Sequence, residues 1–415
     1  MPVSENQLSI FEKLPIEILF QIFANLPLTE VIQFKRFNKY LMHLVNSYLA
    51  DEMKVKQIAC GYNFSLILLE SGRMFAMGAN NYGQLGLLGE EKRLAPTEII
   101  GIEPIAHLSV GFTHAIMLSK KKRIWIMGNN AEQQLSFKKD ALKKIQLECA
   151  STPIDVKAII ACDFTTAYTD NNGIYQLGNA NLKPYTINGS LKLLPEWLPI
   201  PADLNIIDIA AGKEHALLLT AEGSVYGIGS NRHGLLGLGY TISDSKNWTL
   251  LPIKRAIKIK ATDLASFILL SNQDLMVAGI NSARQLEDTD IAYFNFFKKI
   301  AAGIINFDAH EFHTIYVDSS QKLYALGHND QGQLGIGPAD CSKELLQIDK
   351  PKSSPSKLKS ENSPLRLISL LQSTYPFFKP GKGIEIKDAL ARPTKFARED
   401  SLTDNSNVEN RSNGP

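Results

Sequence analysis

The sequence predicts a mainly β fold: a β-propeller of about six four-stranded blades, preceded by a small all-helical head and followed by a polar tail. Three observations carry this. Six glycines, Gly78, Gly128, Gly178, Gly229, Gly279 and Gly327, recur at separations of 50, 50, 51, 50 and 48 residues. Each period holds short apolar runs joined by a glycine-containing turn, the pattern of antiparallel hairpins. Glycine is also unevenly placed. Of 28 in the chain, 25 lie between Gly61 and Gly337 and none precedes Gly61, where average usage of about 7% would put roughly four. The boundaries that follow are residues 1–53 for the head, 54–340 for the ring and 341–415 for the tail.

In the head, Pro15 after Leu14 suits the first turn of a helix. Ile18, Leu19, Ile22, Phe23 and Leu26 then fall on one apolar face, and Pro27 ends the segment. Thr29 is placed to cap a second helical stretch carrying Val31, Phe34, Phe37, Leu41, Leu44, Val45 and Tyr48. So small a unit cannot bury all of these side chains by itself. The excess apolar surface calls for a partner, either another protein or the rest of this chain.

The string Leu-Pro-Ile-Glu-Ile-Leu-Phe-Gln-Ile-Phe-Ala-Asn-Leu-Pro, residues 14–27, resembles the F-box pattern L-P-x-E-[IL]-L-x-x-I-F-x-x-L. Val31-Ile32 and the basic cluster Lys35-Arg36 with Asn38-Lys39 extend the resemblance, while the family's usual Trp in the second half is missing. F-boxes are helical hooks that bind the S-phase-kinase-associated adaptor of cullin–RING ubiquitin ligases. The resemblance implies that Leu14, Pro15, Ile18, Leu19, Ile22, Phe23 and Leu26 contact that adaptor. The competing reading is an amphipathic helical pair that packs on the following domain.

In the ring, the residues two after each marker glycine are Asn80, Asn130, Ala180, Asn231, Asn281 and Asn329. Those three before it are Phe75, Trp125, Tyr175, Tyr226, Met276 and Tyr324. Gln84-Leu85, Gln134-Leu135, Gln285-Leu286 and Gln333-Leu334 follow it, with Pro184-Tyr185 and Leu235-Leu236 as variants. A period near 50 filled by short strands describes propeller blades, whose radial repetition leaves few open sheet edges. The glycine marks a position needing positive φ or close backbone approach, and the aromatic is expected to pack between blades. The strings Gly-Ala-Asn-Asn-Tyr-Gly-Gln-Leu-Gly (78–86) and Gly-His-Asn-Asp-Gln-Gly-Gln-Leu-Gly-Ile-Gly (327–337) resemble repeats of the regulator-of-chromosome-condensation family. Its members form propellers and include the exchange factor of the Ran GTPase. That archetype has seven blades; six copies are counted here, so six is the expectation, and a seventh would be too divergent to read.

No residue set points to catalysis, a cofactor or a metal. His114, His215 and His313 recur in Gly-x-x-His or similar contexts, but in different copies. They are expected to be half-buried imidazoles bonding turns, separated around the ring. Gly-x-Ser-x-Gly, Walker A and His-Glu-x-x-His motifs are absent. Asp51-Glu52, Glu90-Glu91 and Asp288 with Asp290 read as surface charges. With 44 Lys plus Arg against 42 Asp plus Glu, the net charge of +2 argues against a dedicated nucleic-acid binder. Cys60, Cys149, Cys162 and Cys341 have no metal-ligand spacing and read as reduced thiols. No apolar run is long enough to span a membrane, and the polar first nine residues lack the core of a signal peptide. The repeats diverge most over 138–153, 183–201 and 239–252, where binding loops are expected.

The tail opens with the polar, proline-punctuated stretch 351–364, expected to be disordered. Leu365–Leu371 or Ile384–Leu390 is expected to be able to return and complete a blade. The order of modules predicts a non-catalytic substrate-recognition subunit of a cullin–RING (SCF-type) ubiquitin ligase, the head docking on the adaptor and the ring holding an unknown target protein. The alternative is a regulator or guanine-nucleotide exchange factor of a Ran-like small GTPase; either module set would also suit a pathogen effector acting in a host cytoplasm. The expected compartment is the cytoplasm, with the nucleus second.

Overall fold

A computed structural model gives the fold and describes residues 16–36, 39–89, 91–135, 144–150, 156–178, 181–240 and 242–338. The tail segments named above lie outside these residues. By its contacts the chain divides into Phe20–Lys352 and a second unit made of Met1–Leu19 with Ser353–Pro415. Of that second unit only Ile16–Leu19 is described.

The head forms α1 (Ile16–Ala24), α2 (Leu28–Gln33), a 3-10 turn (Phe34–Arg36) and α3 (Lys39–Glu52). Its apolar positions face inward: Phe23, Val31, Phe34, Leu41 and Val45 are wholly buried. Phe23 packs its ring 5.3 Å from Phe34 and 5.4 Å from Tyr48. The second helix starts at Leu28, one residue before the expected cap Thr29. Its first N–H is satisfied by Glu98 Oε2 at 2.8 Å, a carboxylate from the first blade, and a negative charge there also suits the positive helix end.

Among the described residues the ring consists of six antiparallel meanders and one two-stranded hairpin. Blade one is β1–β4 (Val55–Cys60, Phe64–Leu69, Met74–Gly78, Arg93–Glu98) and blade two β5–β8 (Ile105–Val110, His114–Ser119, Ile124–Asn129, Lys144–Cys149). Blade three is β9–β11 (Ala158–Cys162, Thr165–Thr169, Ile174–Gly178), followed by a separate hairpin of β12 and β13 (Leu182–Ile187, Ser190–Pro195). Blade four is β14–β17 (Ile206–Ala211, His215–Thr220, Val225–Ser230, Asp244–Leu250) and blade five β18–β21 (Ala256–Ala261, Ala265–Leu270, Leu275–Ile280, Tyr293–Ala301). Blade six is β22–β24 (Ile304–His310, His313–Asp318, Leu323–Gly327). The apolar stretch 58–69 of the first repeat divides at Gly61-Tyr62-Asn63 into two strands.

The marker glycine meets both expected demands. At Gly327 φ is +108°, and an added Cβ would lie 2.1 Å from the Phe312 carbonyl oxygen; at Gly78 φ is +107° and the Asn63 oxygen would be 2.4 Å away. The asparagine two residues on folds the loop after the third strand. Asn281 Oδ1 accepts from the Leu286 N–H at 2.9 Å, and Asn80, Asn130, Asn231 and Asn329 repeat this bond at 2.8–3.0 Å. The glutamine then turns inward, as Gln84 Oε1 accepts from the Tyr82 N–H at 2.9 Å.

In the third repeat Ala180 replaces that asparagine, and the chain runs on into the β12–β13 hairpin instead of the loop. Leu191 and Leu193 of the hairpin pack with Ala167 and Ile160 of blade three. Ile187 and Leu194 pack on the other side with Ile209 and Leu218 of blade four. The hairpin therefore stands in the ring between two blades, with an apolar layer on each side. Similar layers join blades one and two, two and three, four and five, and five and six. Trp125, Tyr175, Tyr226, Met276 and Tyr324 sit at the margins of these layers, between blades as expected.

Candidate functional site

Polar side chains of the first strands tie neighbouring blades around the axis. The Gln57 amide donates to Leu108 O at 2.7 Å and accepts from Leu108 N–H at 3.2 Å, joining blades one and two. Ser109 Oγ accepts from Ala161 N–H at 2.9 Å between blades two and three. Lys258 Nζ donates to Asn306 Oδ1 and Phe307 O at 2.7 and 2.6 Å between blades five and six, and burial pulls its ammonium down to about 8. Asp308 pairs with Lys260 at 2.9 Å and accepts from the Cys60 N–H at 2.9 Å. Burial alone would raise the Asp308 carboxyl, but Lys260 and Lys258 hold it below its usual range.

The three recurring histidines have a different role from the one expected of them. Each is fully buried rather than half-buried, and each bonds a hydroxyl of the next blade. His114 Nε2 meets Thr166 Oγ1 at 2.9 Å, His215 Nε2 meets Ser266 Oγ at 2.9 Å, and His313 Nε2 meets Ser65 Oγ at 2.8 Å. Ser65 and Ser266 donate their own protons to the Gln333 and Leu235 carbonyls at 2.8 and 2.6 Å. Each serine oxygen must therefore accept from imidazole Nε2–H, which assigns the tautomer. Burial brings all three imidazoles down to about 4, so they are neutral at physiological pH. They lie at three different junctions, and among the described residues no three His, Cys, Asp or Glu side chains come together as metal ligands.

Of the residues expected to contact an adaptor, Leu14 and Pro15 lie outside the described residues. Leu19, Ile22, Phe23 and Leu26 are buried, Ile18 is half-buried, and the neighbouring Ile16 is exposed. From Phe20 onward the head is docked on blade one through Arg73. Its Nη1 donates to Leu26 O at 2.7 Å and to Glu98 Oε1 at 2.9 Å, and its Nη2 to Phe23 O at 2.8 Å and Ala24 O at 3.1 Å. One guanidinium thus binds carbonyls at and just beyond the end of α1, where helical N–H donors run out.

The divergent segments differ in kind. Most of 183–201 is the inserted hairpin, so its sequence answers to packing. Segment 239–252 leaves Tyr240 78% exposed, its ring 6.1 Å from Phe296 of blade five. Of 138–153, only residues 144–150 are described. Sequence reasoning missed the turns between the first two strands, where Tyr62 and Phe112 stack at 4.2 Å, Phe112 N–H donates to Asp163 O at 2.8 Å and Lys213 N–H donates to Asp263 Oδ1 at 2.8 Å. These residues occupy one repeat position, 15 or 16 residues before the marker glycine.

The geometry defines a class, a rigid propeller of stapled, repeated blades, and the comparisons specify it. Two models of the regulator of chromosome condensation (RCC1) repeat match, one over residues 55–84 and 206–235 and the other over 71–118. The chain is a β-propeller that carries RCC1-type repeats over these segments. It is 27% identical over 314 residues to the regulator of chromosome condensation of Xenopus laevis, across 68% of this chain and 73% of that protein. The Homo sapiens counterpart is 23% identical over 308 residues, across 66% and 72%. The probable E3 ubiquitin-protein ligase HERC6 of Homo sapiens is 30% identical over 213 residues, 46% of this chain but 20% of that one. Among solved structures, human WBSCR16 aligns with a TM-score of 0.46 at 17% identity, over 72% of this chain and 83% of that one. Prp20p from Saccharomyces cerevisiae, described with its binding to Gsp1p and histones, aligns with a TM-score of 0.43 at 20% identity, over 73% and 77%.

Proposed function

We propose that the chain regulates a small GTPase of the Ran type through contacts made by its propeller, without a catalytic residue of its own. The observation that carries this reading is the extent of the match to the regulators of chromosome condensation. It runs through 314 residues and nearly three quarters of the Xenopus protein, whereas the ligase HERC6 shares a fifth of its length. A regulator of this kind works by binding one state of its target better than another; an exchange factor prefers the nucleotide-free state. A ring held by apolar layers and polar staples suits that task, since it presents loops at fixed spacing. The test is release of a fluorescent GDP analogue from Ran on adding the purified full chain. Faster, concentration-dependent release supports the reading, and an unchanged rate at saturating chain refutes exchange activity.

A second reading keeps the head as an F-box and the chain as a substrate receptor of a cullin–RING ligase, with the propeller holding the target. It is favoured by the match at residues 14–27 and by the exposed Ile16 at the start of α1. Co-precipitation of the adaptor with the full chain, lost in a Leu14→Ala/Pro15→Ala variant, supports it. Equal recovery with both forms removes the docking surface.

A further inference from the structure

We propose that the outer edge of blade three is a self-pairing surface, on which β11 of one copy of the chain adds antiparallel to β11 of a second. Blades one, two, four and five each end in a fourth strand that covers the third, whereas blade three ends at β11. The fourth strands begin 15, 16, 15 and 14 residues after Gly78, Gly128, Gly229 and Gly279. In the third repeat that distance falls inside β13, which pairs with β12 and packs between blades instead. Only residues 179–181 separate β11 from β12, so the hairpin uses up the sequence that would have covered the blade. Blade six also ends at its third strand among the described residues, but residues 341–343 stand at the same distance beyond Gly327.

The bare edge is a row of backbone groups with a fixed direction. Asp170 N–H donates to Gly173 O at 3.1 Å across the turn between β10 and β11. The antiparallel alternation then turns Tyr175 and Leu177 toward β10, and the N–H and C=O of Ile174, Gln176 and Gly178 outward. The covered blades show the same direction. Met74, Ile124 and Val225, each four residues before its marker glycine as Ile174 is, accept from Ile99, Ala150 and Leu251 N–H at 2.9, 2.9 and 2.8 Å. Among the described residues nothing pairs with the outward groups of β11, and Ile174 is 43% exposed.

The composition of the edge selects its occupant. The covering strands carry devices that keep strand edges apart: Arg93, Pro96 and Glu98 in β4, Lys144 and Glu148 in β8, Asp244 and Lys246 in β17, Lys298 and Lys299 in β21. Each also shifts register against its neighbour. β11 is Ile-Tyr-Gln-Leu-Gly, with neither charge nor proline, and it pairs with β10 in unbroken register. A copy turned about a twofold axis at Gln176 sets Ile174 opposite Gly178 and Gln176 opposite Gln176. Every outward N–H and C=O of both strands is then paired. Tyr175 lies opposite Leu177 of the other copy, and no like charges meet. Five residues a side make a small contact, so the dimer is weak and depends on concentration. This pairing is independent of any GTPase.

Sedimentation velocity of the full chain, from about 1 to about 300 µM, reads the association. Wild type should move from monomer toward dimer as concentration rises. Gln176→Pro removes an N–H that its own blade does not use, and Gln176→Lys sets two ammonium groups face to face. Each should weaken association at least about tenfold. Ala221→Lys, on the exposed turn between β15 and β16, should match wild type. Air oxidation catalysed by copper-phenanthroline reads the register, with wild type as the background. Gln176→Cys should give a disulfide-linked dimer, because the paired Cα atoms stand about 5.5 Å apart. Ile174→Cys should not, because its counterpart lies about 14 Å away. A wild-type chain that stays monomeric to about 300 µM overturns the proposal. So does equal cross-linking at 174 and 176, and so does undiminished association in both Gln176 variants, which would put the dimer contact elsewhere.

Discussion

His313 in the sixth blade and Ser65 in the first are joined Nε2 to Oγ at 2.8 Å across the junction where the ring closes on itself. The same pairing, one repeat apart, joins blade two to three and blade four to five. Ser65 also passes its proton to Gln333 O at 2.8 Å, so one hydroxyl links a histidine and a loop carbonyl of the last blade. At this junction Asp308 also accepts from Cys60 N–H, and Gln321 Oε1 from Val55 N–H at 2.7 Å.

Removing the hydroxyl should loosen closure. In Ser65→Ala both His313 Nε2–H and Gln333 O lose their partner in a buried setting, which costs about 1–3 kcal/mol. Ser320→Ala, on an exposed turn whose hydroxyl bonds Asp318, should change stability by less than about 0.5 kcal/mol. Urea denaturation of both variants measures the difference; equal midpoints would contradict it.

The three histidines should make the ring acid-sensitive. Their folded-state values of about 4 lie below the unfolded value near 6.5. Between these the unfolded chain binds more protons, so stability falls as pH drops from about 6.5 toward 4. The contribution is fully present above 6.5. Melting temperatures of wild type should decline through this window, and less steeply in a His215→Gln variant; parallel profiles would refute the assignment.

Marker glycines should tolerate no side chain. Gly327→Ala combines φ of +108° with a Cβ 2.1 Å from Phe312 O, so strain and clash together should cost more than about 3 kcal/mol. Gly303→Ala has φ of +74° and open space around it, so strain of about 1–2 kcal/mol is all it incurs. Chemical denaturation should rank them in that order.

Arg73 should hold the head to blade one. In Arg73→Met the carbonyls of Ala24 and Leu26 lose the guanidinium, Phe23 O keeps only the Leu26 N–H at 3.2 Å, and Glu98 loses its cation. Hydrogen exchange should then rise at least about tenfold across residues 20–33 while the inner strands of blades four and five stay protected. Unchanged exchange in the head would mean that its apolar contacts alone suffice.

Much of the ring was legible in the sequence because its markers meet local demands. Gly78 and its counterparts need positive φ, and Asn80 and its counterparts fold a loop, so each leaves a residue type at a fixed offset. The β12–β13 hairpin was hidden because Ala180 removes the marker and its apolar residues answer only to neighbouring blades. The histidine partners were hidden for a related reason. A hydroxyl one repeat away leaves no local trace, although the alternation of His215-Ala216 with Ala265-Ser266 is visible once repeats are aligned. The first turns were missed because each blade contributes a single residue at that position and the types differ, from Tyr62 and Phe112 to Lys213 and Asp263. In the head, the spacing of Ile22, Phe23 and Leu26 announced burial but not that Arg73 and Glu98 would dock the helices.

The most direct test of the regulatory role is the affinity of the full chain for Ran in its nucleotide-free and GDP-bound forms. The account predicts a nucleotide-free complex that survives gel filtration and dissociates when GTP is added, with at least about a hundredfold preference over the GDP form. Equal affinity for the two forms, or no complex with either, would contradict it.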